Sequence, residues 1–305
     1  MVQPAIEKRR EITRRSFLVT GVAGAAGVAS RTTIGCTGER PPIILGQVNL
    51  SFYAVTGAVV HEVLKRVGHS VEVREGPHEE IFPLLDQDAI DLMAAVWLPE
   101  GHAAYWARYG RNAIEVAQLY DGAHFFWAVP NYVPADEVAS ISDLGKPTVA
   151  ERMTKLIQGI GSGATISVVS KKALAEYGLE GLGYTFRTGT AAEWIGALSA
   201  AMAERRWMIF PTWAPQYLNR ENKIRALQDP LGVLGGANHA SLVSPRDRFE
   251  RLPLATRAAL SRIKLGIDGV TEMDWLVNVA KQTPSEAARQ WMTDNDKRVA
   301  EWLKA

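Results

Sequence analysis

A chain of 305 residues with 47% hydrophobic and 22% charged content can bury more than one core and is too apolar to be disordered or fibrous. Six of the 34 Lys and Arg but only two of the 33 Asp and Glu fall in residues 1–36, so the rest of the chain is slightly acidic and has no basic footprint for nucleic acid. The single cysteine, Cys36, excludes an internal disulfide framework and a cysteine-rich metal or iron–sulfur site.

Residues 1–36 read as a targeting segment. Thr13-Arg14-Arg15-Ser16-Phe17-Leu18 follows a basic, polar start, and a mild apolar stretch of Val, Ala, Gly and Leu runs from there to Ser30. The pattern is similar to a twin-arginine export signal. The stretch is shorter than the roughly 20 residues of a membrane-spanning helix. Gly21, Gly24 and Gly27 would each cost about 1 kcal/mol in a helix, which argues against an ordinary amphipathic first element. Two ends to the segment stay open: cleavage after Val28-Ala29-Ser30, or lipid attachment at Cys36, because Thr33-Ile34-Gly35-Cys36 resembles a lipobox with Thr33 in place of the usual aliphatic residue.

Beyond the Pro41-Pro42 break, short apolar strands alternate with amphipathic helices, the signature of an α/β protein with mostly parallel sheets covered by helices. Strands are expected at 43–48, 70–74 and 89–96, with helices at 54–67 and 79–85 between them. A strand at 125–129 leads into the polar, proline-punctuated stretch 130–146, where the chain is expected to cross into a second lobe. There the alternation resumes, with strands at 148–149, 184–188 and 207–211 and helices at 165–177 and 191–204, the latter with Thr190 as its N-cap. A strand at 239–243 carries the chain back, and helices at 246–265, 273–280 and 285–304 pack on the first lobe. The expected division is a signal segment at 1–36, lobe 1 from 43–130 plus 244–305, and lobe 2 from 131–243.

Ligands of open α/β sheets bind beyond the carboxyl ends of the strands. That makes Trp97-Leu98-Pro99-Glu100-Gly101-His102 the most informative segment, since a large aromatic at a strand end next to proline is set towards a cleft. Trp213-Ala214-Pro215 repeats the arrangement. Asn49, Phe52 and Tyr53 follow the first strand and share this position, and Trp194 sits early in a helix whose N-terminus can face the same cleft. Gly159-Ile160-Gly161-Ser162-Gly163-Ala164 lacks the Lys-Ser/Thr ending of a nucleotide-binding P-loop. His61, His69, His78, His124 and His239 are too scattered for a metal set, and Glu79 and Glu80 read as a solvated helix start. Trp207, Trp275, Trp291 and Trp302 are expected in the core.

The run from Trp97 through Tyr105-Trp106 and Tyr109-Gly110 resembles the corresponding segment of the glycine-betaine-type substrate-binding proteins of ABC transporters. The resemblance extends through Ser142-Asp143-Leu144, the glycine-rich turn, Trp213-Ala214-Pro215, Leu227-Gln228-Asp229-Pro230 and the ending with Trp291, Asn295, Val299 and Trp302-Leu303. It implies a two-lobed periplasmic-binding-protein fold of type II, with two hinge crossings. It also implies an exported, non-enzymatic receptor without cofactor or metal, which delivers a compatible solute to a membrane permease driven by a separate ATPase. Residue by residue, Trp97 and Trp213 match cage tryptophans, His102 the family's histidine, and Gly163, Ala164 and Thr165 the turn that supplies carboxylate-binding amides. Some relatives carry a further aromatic where this chain has Ala164, leaving Trp127, Trp194 or Tyr53 to complete the cage.

The chemistry is intelligible on its own. A quaternary ammonium has no N–H to donate, so its favoured partner is the negative face of an aromatic ring, tryptophan best of all. A carboxylate at the other end calls for backbone N–H groups at a helix start, or for an imidazole or guanidinium. Choline, carnitine and dimethylsulfoniopropionate are the competing ligands within this class, with choline favouring an acidic side chain over amides. An exported enzyme on a similar scaffold is the reading from another class, and a sensory module shares every feature of the receptor.

Overall fold

The computed structural model describes residues 41–304. The export motif, the Ser30 cleavage point and Cys36 lie outside the described residues. In chain order the elements are β1 (Ile43–Val48), α1 (Ser51–Arg66), β2 (Val71–Gly76), α2 (His78–Ile81), β3 (Leu92–Leu98), α3 (Ala103–Tyr109), β4 (Ala113–Pro130), α4 (Pro147–Arg152), β5 (Leu156–Gln158) and α5 (Thr165–Glu176). There follow β6 (Thr185–Arg187), α6 (Ala191–Ala203), β7 (Phe210–Ala214), β8 (Ile224–Ala226), β9 (Asn238–Pro245), α7 (Arg246–Arg251), α8 (Leu254–Ser261), α9 (Ile267–Asn278), α10 (Pro284–Asp294) and α11 (Asp296–Trp302).

The fold is α/β. A curled, mixed sheet runs in the order β2-β1-β3-β9-β4-β7, with β8 also on β4, and β5 and β6 form a separate parallel pair. Of the mostly parallel pairing expected, parallel partners are β1 with β2, β1 with β3, and β5 with β6. The central partners β3–β9, β9–β4 and β4–β7 are antiparallel, because β9 returns between β3 and β4 rather than after a helical crossover. Every residue of β3 is buried, as its unbroken apolar sequence requires of a strand covered on both faces. Against β9 it carries a register shift between Met93 and Val96, where Ala95 takes a left-handed φ of 60°. Such a bulge re-aims the residues after it, and Trp97 lies two positions on.

α1 packs on β1, α9 and α10. Gly57 permits that approach, since a Cβ there would lie 1.8 Å from Gln47 Oε1. Thr190 with Glu193 and Thr283 with Glu286 form capping boxes that start α6 and α10. One hydrophobic cluster gathers around β1, β3, α1 and the C-terminal helices. A second gathers around Trp127, Val138, Ile157, Tyr184 and Trp207. β4 contributes Leu119, Tyr120 and Ala123 to the first and Trp127 and Val129 to the second.

Several expected elements shift. The strand expected at 148–149 is helix α4, which begins with Pro147, a residue suited to a first helical turn. The strand expected at 207–211 is β7, three residues later. The continuous apolar run around it has no period to mark its ends, and Pro211 is tolerated because β7 is an edge strand. The helix expected at 246–265 is broken at Pro253 into α7 and α8, and that at 285–304 is interrupted at Asn295. The helix expected from 273 starts at Ile267, directly after Gly266 with φ 78°. The strand expected at 125–129 is the far end of the 18-residue β4. Trp291 and Trp302 are buried core as expected, whereas Trp275 is half-buried, with the Arg220 guanidinium 4.7 Å above its ring.

Candidate functional site

The ends of β1, β3 and β7, the middle of β4 and the start of α5 converge on a small, partly open pocket of about 260 Å³. Its walls are Leu50, Phe52, Tyr53, His78, Trp97, His102, Phe125, Ile160, Ala164, Thr165, Ile166 and Trp213, with no Asp, Glu, Lys or Arg among them. A wider depression of about 1070 Å³ near His124, Arg220 and Glu272 is open to solvent and lacks convergent aromatic faces.

Trp97 and Trp213 both pack near Phe52, each with its ring centroid 5.7 Å from the phenyl ring. Phe125 lies 5.2 Å from Trp97. Both tryptophans precede a cis peptide bond to proline, Leu98-Pro99 and Ala214-Pro215. Trp97 Nε1 donates to Tyr120 Oη at 2.9 Å, which fixes the indole by its edge and leaves its face to the cavity. Trp194 stacks behind Trp213 at 4.8 Å and 15°, and its Nε1 donates to the Pro211 carbonyl at 2.8 Å. Trp213 Nε1 is buried and has no acceptor among the described residues.

The polar groups converge from two directions. His102 Nδ1 accepts from the Trp97 backbone N–H at 2.9 Å, and its Nε2 lies 3.2 Å from Tyr53 Oη. Burial, followed by the neighbouring His78, holds the His102 imidazolium well below its usual range, and burial alone pushes His78 down to about 4. Burial first, and then the Tyr120 hydroxyl, raise the Tyr53 phenol well above 10. All three are neutral at physiological pH. On the other side α5 begins with Ala164 as N-cap, with no side-chain cap and no acidic residue in the first turn. The N–H groups of Thr165 and Ile166 therefore have no acceptor in the helix and stand at its positive end. Beside the pocket, Thr165 Oγ1 donates to the Gly101 carbonyl, and Tyr105 Oη donates to the Gly163 carbonyl at 2.9 Å.

Of the residues expected at the site, Trp97, Trp213, His102, Tyr53, Ala164 and Thr165 come together in the wall. Asn49 is exposed and lines two adjoining openings instead. Gly163 touches Tyr105 and Glu79 rather than the cavity, and Trp194 forms a second layer behind Trp213. Trp127 lies in the second core, with its Nε1 donating to Ser170 Oγ at 2.8 Å. Phe52 and Phe125 add further rings to the wall beside Trp97 and Trp213. His78, considered only as one of the histidines too scattered for a metal set, lies 5.4 Å from His102 and lines the pocket. Its position one residue after Pro77, at a strand-to-helix turn, was the available signal.

Asp274 joins two of the segments that carry the wall. Fully buried on α9, it accepts from the Tyr217 backbone N–H at 2.7 Å, just after the Trp213 loop, and from Asn278 at 3.0 Å; it also bonds Ser51 at the start of α1, next to Phe52 and Tyr53. Burial raises its carboxyl to about 6, against the opposing effect of these bonds. A carboxyl raised on folding stabilises the fold fully below its unfolded pKa, and that stabilisation is lost as the pH rises through the folded value. Asp274 therefore contributes a loss of stability between about pH 4 and 6, opposite to the gain that His78 and His102, buried as neutral imidazoles, bring as the pH rises towards about 6.5, so Asp274→Asn is expected to steepen the rise of the denaturant midpoint over that range.

A family model described as the substrate binding domain of an ABC-type glycine betaine transport system matches residues 41–294. The chain is similar to the glycine betaine/carnitine transport binding protein GbuC of Listeria monocytogenes serotype 1/2a (strain 10403S), at 26% identity over 157 residues. That match spans 52% of this chain and 52% of the relative, about half of its length. Among solved structures, lactococcal OpuAC in its closed-liganded conformation with glycine betaine gives a TM-score of 0.77 at 22% identity, covering 87% of this chain and 100% of the other. ProX from Borrelia burgdorferi, a glycine betaine/L-proline-binding protein, gives 0.76 at 20% identity, covering 87% and 97%. An ABC-transporter choline binding protein in complex with choline gives 0.73 at 18% identity, covering 86% and 91%. These likenesses establish the type II periplasmic-binding-protein fold.

Proposed function

Because the chain belongs to the family of substrate-binding domains of ABC-type glycine betaine transport systems, we propose that it is the exported receptor of an ABC importer and captures glycine betaine or a closely related methylated ammonium zwitterion. The observation that carries this reading is the pairing of aromatic faces with unpaired helix-start amides around a cavity whose walls hold no charged side chain. Trp97, Trp213, Phe52 and Phe125 offer ring faces to the methylammonium group, each desolvated contact contributing about 2 kcal/mol. Two or three such contacts approach the roughly 8 kcal/mol of a micromolar complex. The amides of Thr165 and Ile166, at the positive end of α5, receive the carboxylate.

Closure of two lobes, 43–130 with 244–305 and 131–243, encloses the ligand. The Tyr105–Gly163 and Thr165–Gly101 bonds are contacts made beside it. The membrane permease and ATPase of the importer are the partners, and the protein works in the periplasm or on the outer face of the cytoplasmic membrane. A net cation such as choline brings no anion to the α5 amides and meets no carboxylate in the wall. Calorimetric titration of the purified mature protein with glycine betaine, carnitine and choline is expected to give micromolar binding of a zwitterion, with choline at least about tenfold weaker. If none of them binds more tightly than about millimolar, a regime of roughly 4 kcal/mol, the reading is wrong.

A further inference from the structure

The hydrogen-bond directions around His102 leave one proton unassigned. A backbone N–H is only ever a donor, so His102 Nδ1, which accepts from Trp97 N–H at 2.9 Å, carries a lone pair. The imidazole is therefore the neutral tautomer with its proton on Nε2. At 3.2 Å from Tyr53 Oη, Nε2–H donates and the phenol oxygen accepts. The phenol's own proton then has no acceptor among the described residues, although Tyr53 is buried and forms part of the cavity wall. The start of α5 is held close by, since Thr165 Oγ1 bonds the carbonyl of Gly101, the residue before His102.

We propose that Tyr53, rather than His102, is the side chain that donates to the ligand's anionic group, and that His102 is a positioning residue whose Nε2–H orients and polarises the phenol. This rests on the reading that the cavity takes a methylated ammonium zwitterion. Chains of hydrogen bonds strengthen one another in a low-dielectric interior, so the relay from Trp97 N–H through His102 to Tyr53 makes a neutral phenol a better donor. Burial and the neighbouring His78 oppose protonation of His102, and the other rings around it, Tyr53, Phe82 and Trp97, carry no charge. The exposed carboxylate of Glu79 acts on Tyr105.

The test uses Tyr53→Phe, which keeps the ring and removes only the hydroxyl, with two probes: glycine betaine, and tetramethylammonium, which has the cation without an acceptor. Glycine betaine affinity is expected to fall about tenfold to a hundredfold, the range for a hydrogen bond to a charged group, while tetramethylammonium affinity stays unchanged. Equal losses for both probes, or no loss for either, overturn the proposal while leaving the cage intact. If the native protein binds neither probe, the cage reading fails and this inference fails with it. Nitrogen NMR of protein labelled in its histidines gives a second readout. His102 Nδ1 is expected to resonate as an unprotonated nitrogen without titrating between about pH 5 and 8, and a His102 that titrates in that window overturns the positioning role.

Discussion

Replacing Trp97 by leucine is expected to weaken glycine betaine binding thirtyfold or more, whereas phenylalanine keeps a measurable part of the affinity. The pair isolates the ring face. Both substitutions remove the bond from Nε1 to the buried Tyr120 hydroxyl, so both destabilise the fold by about 1–3 kcal/mol, and that loss cancels in the comparison. What differs is the π surface offered to the methyl groups, worth about 2 kcal/mol at a desolvated site, or roughly thirtyfold. Leucine fills much of the space without it. Calorimetric affinity beside the denaturant midpoint for each variant decides the matter, and equal affinities for the two variants would falsify a cation–π role for this wall.

Trp207→Ala is expected to do the reverse, destabilising the protein by about 3–5 kcal/mol while the folded fraction binds ligand normally. The Trp207 ring lies in the second core, away from the cavity, with the Arg152 guanidinium 3.5 Å above it. Its carbonyl accepts from Thr154 N–H at 2.9 Å, and the residue bridges to Met153. Truncation leaves a cavity among Ile157, Tyr184 and their neighbours that only partial collapse can fill. A variant with an unchanged midpoint and lost affinity would move Trp207 from core to site and displace the cavity assignment.

The sequence made the two tryptophan anchors legible because each combines a large ring, a strand end and a proline two residues on, a local pattern that survives whatever the sheet does elsewhere. The rest of the cage depends on non-local facts. Phe125 sits in the apolar run Phe125-Phe126-Trp127, where the face of each side chain depends on three register shifts between β4 and β9 and on Gly122 at φ 78°. Alternation broken in this way hides both the length of β4 and the direction of its side chains. The antiparallel centre of the sheet was equally hidden, since no short-range signal in 239–243 says which strands it will pair with. Trp194 was visible as an aromatic near a helix start, but its ring lies behind Trp213 because Nε1 finds the Pro211 carbonyl. His78 escaped notice because a histidine's importance here comes from a neighbour 24 positions away.

The absence of charged side chains from the cavity wall bears on the salt the protein can work in. Mobile ions screen exposed charges over about 8 Å at physiological ionic strength and about 3 Å in molar salt, so a site built from surface Asp, Glu, Lys or Arg loses its grip as salinity climbs. Buried ring faces and backbone dipoles carry no net charge for those ions to screen. A site built this way is expected to keep its ligand affinity between dilute medium and molar salt, which calorimetric titration at the two ionic strengths checks.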